Sequence, residues 1–171
     1  MQDPAVTIRK MRPEDLEGAV RVLAQWNLAP IAPSLAIPAP ERDGIDVGNG
    51  FVAEHAGEIV GVASYIVHTP RMAETASHAV DRRYRGLDIG HRLQLARLQE
   101  MKARGITTVR TETDRPETIA WLVRTFGFRM VGRNPKKHAF SLPEVDEWTV
   151  LELDLASCRL EDWNRVDQDR G

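Results

Sequence analysis

The sequence predicts an α/β domain of the α+β kind, a mixed sheet with helices on both faces. Three observations predict it. Runs of alternating apolar and polar residues recur along the chain, stretches between them repeat apolar residues at helical spacing, and the two kinds interleave in the order β-α-loop-β-β-β-α-β-α-β-β. At 171 residues the chain is about one domain's worth and can bury a useful core without metals or disulfides. The domain is expected over residues 1–155, followed by a polar tail, 156–171, that reads as a surface helix or a frayed end.

The first strand is "VTIRK", Val6 to Lys10, by its alternation; "RPEDLEGAVRVLAQWN" follows it with Pro13 and two acids placed as in a first helical turn. Leu16, Ala19, Val20 and Leu23 recur at i, i+3, i+4 and i+7 and predict the buried face of that helix. The proline-rich "LAPIAPSLAIPAPERDGIDVGNG" is too broken for a regular element and long for an idle connection, the profile of a functional loop. "GFVAEHA" and "EIVGVASYIVH" meet through Gly57 as a hairpin, and "AETASHAV" is a further strand. Ile89 to Arg104 is helical in pattern and ends at Gly105, and "ITTVRTET" is the next strand. In "DRPETIAWLVRTFGF", Asp114 and Glu117 have capping-box spacing, while Ile119, Leu122, Val123 and Phe126 form an apolar face. "FRMVG" and "WTVLELDL" close the order around the loop "RNPKKHAFSLPEVDE", whose Lys136 to His138 reads as solvated. Trp121 and Trp148 read as packing residues.

Composition excludes several classes. With Cys158 as the single cysteine there is no internal disulfide and no cysteine cluster for zinc or iron–sulfur. The net charge of −2 and the scattered arginines lack the footprint of a nucleic-acid binder. No apolar run approaches the roughly 18 residues of a membrane helix, and Met1 is not followed by a charged-then-apolar leader. The expectation is a cytoplasmic protein with no nucleic-acid or membrane partner.

The stretch "DRRYRGLDIGHRL", Asp81 to Leu93, joins a strand to a helix through two glycines, so that backbone N–H groups can converge on an anion at a helix N-terminus. An ordinary strand-to-helix turn with Asp88 as N-cap fits the same residues. The element order, with "AVDRRYRGLDIG" after a strand and "FGF" after the next helix, resembles the GNAT superfamily of acyl-CoA-dependent N-acetyltransferases over about Val6 to Leu155. The resemblance implies a central, mostly antiparallel twisted sheet of about seven strands, acetyl-CoA as acyl-donor substrate, no metal, a small-molecule amine as acceptor, and a homodimer as the assembly it leaves open. The family's loop pattern, Arg/Gln-x-x-Gly-x-Gly/Ala, maps onto Arg85, Gly86, Leu87, Asp88, Ile89 and Gly90; Arg85 and Gly90 match, and Asp88 departs. By that mapping Val80, Arg85, Gly86, Leu87, Asp88, Ile89, Gly90 and His91 bind the coenzyme. A carboxylate there either repels the pyrophosphate or turns back onto the helix amides as the cap, and the second is expected.

The strand "AETASHAV" resembles the family strand that serves the chemistry, splayed from its neighbour "ITTVRTET" so that the pantetheine arm threads the gap and a backbone amide near His78 polarises the thioester. The implied catalytic residues are Glu74, as general base, and His78. Period-two alternation puts Glu74, Ala76, His78 and Val80 on one face; a packed histidine and a solvated carboxylate stay open beside those roles. The position of the family's proton-donating tyrosine is held by Val123, with Tyr84, Tyr65, His78 or water as substitutes. Glu112 is a reserve base or an exposed polar partner. Acceptor walls would come from Lys136 to His138 and from the proline-rich loop with Glu41, Asp43 and Asp46. Cys158 lies in the tail, which argues for direct attack in a ternary complex over an acetyl-enzyme.

Overall fold

The computed structural model describes residues 5–28, 45–136 and 141–164. Strands β1 (Thr7–Lys10), β2 (Gly50–His55), β3 (Glu58–Thr69), β4 (Met72–Val80), β5 (Thr108–Thr113), β6 (Arg129–Pro135) and β7 (Glu147–Asp154) form one mixed sheet in the order β1-β2-β3-β4-β5-β7-β6. Helices are α1 (Leu16–Ala24), α2 (Ile89–Ala103), α3 (Pro116–Trp121) and α4 (Leu160–Asn164). The expected seven-stranded mixed sheet is therefore present. β4 pairs with β5 in parallel, over Met72–Glu74 against Thr108–Arg110, whereas β1–β2, β2–β3, β5–β7 and β6–β7 are antiparallel. A parallel pair cannot close through a tight turn, and α2 supplies the crossover.

The chain divides into two compact units, Met1–Ile66 with Ala76–Arg97, and Val67–Thr75 with Leu98–Gly171. In the first, α1 buries Ala19, Val22 and Leu23 in a cluster with Met11, Val52, Ile59, Val62 and Ala79. The face is rotated from expectation, with Val22 rather than Val20 fully buried. The other side of β3 meets α2: a Cβ on Gly61 would lie 2.9 Å from Leu93 Cδ1, so this strand glycine lets the helix approach closely. Successive residues of a strand point to opposite faces, and Gly61 and Val62 accordingly serve α2 and α1.

In the second unit α2 terminates as its sequence says. Gly105 takes φ 86° and the Ile106 N–H reaches back to the Met101 carbonyl at 3.0 Å, the paired geometry of a glycine-ended helix. Two expectations fail here. Asp114 does not cap α3: the N-cap is Arg115, with no side-chain cap bond, because Asp114 is buried and accepts from Lys136 Nζ at 2.7 Å and the Leu142 N–H at 3.0 Å. Lys136 is accordingly not solvated; its side chain is 4 % exposed. Val123 also leaves the expected apolar face at 37 % exposure, because Leu122–Phe126 widen into a π-turn that shifts the helical phase while Leu122 and Phe126 stay buried. The tail begins packed: Trp163 of α4 is buried, its ring 5.5 Å from that of Phe126.

Candidate active site

The segment from β4 into α2 is built around a string of unusual backbone states. Asp81 leaves the strand with a buried carboxylate that accepts from the Arg83 N–H and guanidinium, both at 2.9 Å. Those bonds outweigh its burial and hold the carboxyl down at about 2. They fix a short 3-10 turn over Arg82–Tyr84 that the sequence pattern did not announce. The carboxyl end of α1 braces the same turn: Gln25 Oε1 accepts from the Arg82 N–H at 2.9 Å, and Trp26 Nε1 donates to the Val80 carbonyl at 2.8 Å. The guanidinium carbons of Arg82 and Arg85 lie 4.4 and 5.4 Å from the Trp26 ring centre, stacked as cation–π partners.

Beyond this brace the chain turns through two left-handed residues, Gly86 at φ 81° and Asp88 at φ 62°. The Asp88 carbonyl accepts from Arg92 N–H at 3.1 Å, so Asp88 is the last residue before α2. Caps ordinarily sit in extended backbone; this one is left-handed, which is the physical reason for glycine at this place in the loop pattern. Aspartate is among the few other residues that visit that region. The amides of Ile89 and Gly90 stand in the first turn of α2, where a helix offers its N–H groups no intrahelical carbonyl. Together with the helix dipole they make a donor set suited to a phosphate. Leu87 is 57 % exposed, and the Ile89 side chain is buried in the core, so Ile89 offers the loop only its backbone.

β4 carries the two expected catalytic residues, in different surroundings. Glu74 Oε2 is 2.7 Å from His68 Nε2, with both side chains partly exposed. His78 Nε2 is 3.0 Å from the Gly90 carbonyl. A carbonyl only accepts, so the neutral ring carries its proton on Nε2. Burial, and then the Arg97 guanidinium, push the imidazole down to about 3 against the help of that hydrogen bond. It is uncharged at neutral pH and a poor base. Between the two, Ser77 is left-handed at φ 45°, so strict alternation does not run from Glu74 through to His78.

Sequence reasoning missed His68, Arg97 and Trp26, each tied to these segments by a contact between different elements. It singled out others that the structure uses differently. Glu112 accepts from Asn134 Nδ2 at 2.8 Å, bridging β5 to β6. Asp46 is committed to the Gly48 N–H and Asn49 Nδ2, both at 3.0 Å. Tyr65 is fully buried, and the Tyr84 ring lies tilted against that of His55, their centres 5.3 Å apart. Burial raises the Cys158 thiol's pKa. Glu41, Asp43, Lys137 and His138 lie outside the described residues. Among the described residues no group of three His, Cys, Asp or Glu is placed to hold a metal, and no helix is long and apolar enough to cross a membrane.

The family model of the GNAT acetyltransferases matches residues 20–128. The chain belongs to that family. The match runs from the second half of α1 through the π-turn and takes in the whole loop before α2. No curated protein matches the sequence. Among solved structures the chain is similar to Ard1 from Thermoplasma volcanium, at 24 % identity and a TM-score of 0.69 over 87 % of this chain and 97 % of that one. It is similar to the ribosomal-protein-S18-alanine N-acetyltransferase from Escherichia coli at 18 % and 0.70, over 91 % and 97 %. It is also similar to yncA from Salmonella typhimurium, solved with its cofactor acetyl-CoA, at 16 % and 0.66, over 91 % and 96 %. At these identities the likeness is one of fold.

Proposed function

We propose that this GNAT protein transfers the acetyl group of acetyl-CoA to the amine of a small molecule by direct attack. The observation that carries the reading is the loop Arg85–Gly90, where two left-handed residues bring the chain into the N-terminus of α2. The amides of that first turn hold the pyrophosphate, and the stacked Arg82 and Arg85 add positive charge beside it.

Acyl transfer then needs a neutral amine and a polarised carbonyl. The amine nitrogen attacks the thioester carbon, the C–S bond breaks, and the sulfur leaves with the electron pair as a thiolate that takes a proton from solvent. The proton lost by nitrogen goes to the Glu74 carboxylate. His68 holds Oε2 of that carboxylate at 2.7 Å and leaves Oε1 for the amine. His78, neutral and hydrogen-bonded to Gly90, shapes the loop instead of taking the proton. Val123 has no proton to give the leaving thiolate, in keeping with protonation from water.

The test is Glu74→Gln, which keeps shape and removes basicity. The maximal rate should fall by roughly 10²-fold or more with acetyl-CoA affinity nearly unchanged, in an assay of thiol release with polyamines, amino sugars and amino acids as acceptors. Peptide N-termini belong in the same screen, and turnover confined to them would reassign the acceptor to a protein. An unchanged rate in Glu74→Gln would remove Glu74 from the chemistry.

A further inference from the structure

Arg97 of α2 differs from the other buried charges. Asp15, Asp81 and Asp114 each face a cation. Arg97, 3 % exposed, meets neutral acceptors: its Nε donates to Gln94 Oε1 at 2.6 Å, and one Nη donates to the Ser64 and Ala76 carbonyls, both at 2.9 Å. Among the described residues no carboxylate lies in an ion pair with it. Gln94 is fully buried as well, and with its oxygen committed to Arg97 its Nε2 has no hydrogen-bond partner among the described residues. For stability alone this is a poor arrangement, since a buried cation without a counter-ion and an unpaired buried amide both cost free energy that an apolar residue of similar volume avoids.

What the arrangement secures is local. The Ala76 carbonyl, tied by Arg97, also accepts from Ser64 Oγ at 3.4 Å. It immediately precedes Ser77, whose φ of 45° is uncommon for a residue with a side chain and persists only where the surroundings enforce it. The next residue, His78, donates to Gly90 in the loop. A chain of bonds thus runs from β3 through Arg97 to the bend of β4, and from the bend back to the start of α2.

We infer that Arg97 is a positioning residue, which holds the Ala76–Ser77–His78 bend of β4 in the shape acyl transfer requires. The inference rests on the acetyl-transfer reading, and its test separates the two. Arg97→Met and Arg97→Lys are prepared in the full chain, and three quantities are measured: kcat, acetyl-CoA affinity, and amide hydrogen exchange across 76–79. The Met variant should stay folded, lose about tenfold or more in kcat as misplaced groups do, change acetyl-CoA affinity by less than about threefold, and exchange the bend amides at least about tenfold faster. The Lys variant, which keeps the charge without the planar fork, should recover part of both losses.

Unchanged kcat in a folded Met variant overturns the inference. So does a kcat loss with unchanged exchange, which would mean a direct electrostatic role, and so does a loss of affinity in place of kcat. If Arg97→Met does not fold, Gln94→Leu decides, since it removes the oxygen that orients the guanidinium. The same signature in smaller measure supports positioning, and wild-type values overturn it. If the wild-type chain turns over no acetyl-CoA, the proposed function fails, and hydrogen exchange alone then tells whether Arg97 holds the bend.

Discussion

Replacing His78 by asparagine should flatten the acid side of the stability curve. The imidazole is held at about 3 in the folded chain, chiefly by burial, against an ordinary value of 6.5. Below that ordinary value the unfolded chain takes a proton here and the folded chain does not, so stability drains away as pH falls, by about 1.4 kcal/mol per pH unit. Between about pH 7 and about pH 4.5 the loss should reach about 2.5 kcal/mol, and for a domain of this size Tm should drop by roughly 5–10 °C from this group. The carboxylates do not blur the window: Asp15, Asp81 and Asp114 are lowered from 3.8, so their contribution is present above that value and is lost below it. The assay is urea denaturation of wild type and His78→Asn at the two pH values. Asparagine does not titrate, so the variant should lose less by about the stated amount. Equal losses in the two proteins would refute the burial argument for His78.

Two further outcomes follow from the geometry. Asp88→Gly removes a left-handed residue's strain, about 1 kcal/mol, against a cap loss of a few tenths, so Tm should rise slightly; acetyl-CoA binding, followed by calorimetry, should tighten if the carboxylate repels pyrophosphate, and weaker binding would show that Asp88 helps form the site. Lys136→Met strands the buried Asp114 carboxylate and should cost about 3–5 kcal/mol in thermal denaturation, whereas adding Asp114→Leu should restore most of it.

How much of this was legible beforehand depended on the range of the interaction. Strands announced themselves by alternation, and Gly105 ended α2 where a glycine-ended helix should stop, because these signals lie within a few residues of what they control. The loop before α2 was legible for the same reason, and its φ values explain the departure at Asp88. Contacts between elements, and one change of helical period, decided the rest. Asp114 looked like a cap until Lys136, 22 residues on, claimed it. Val123 looked buried at ideal helical period, and the π-turn changed the period. Glu74 was singled out from the strand it sits on, whereas its contact with His68 of β3 is not written in either strand's pattern. Arg97 reads as one more polar residue of a helix, since no local pattern marks an arginine whose acceptors are the carbonyls of Ser64 and Ala76.

Binding of acetyl-CoA to the purified full chain tests the central claim most directly. The loop amides should bind it with micromolar affinity, and at a hundredfold excess over the dissociation constant linkage should stabilise the fold by about 2.7 kcal/mol, a rise of roughly 5–10 °C in Tm at this chain length, with matching heat in a calorimetric titration. No shift and no heat at millimolar acetyl-CoA would contradict the account.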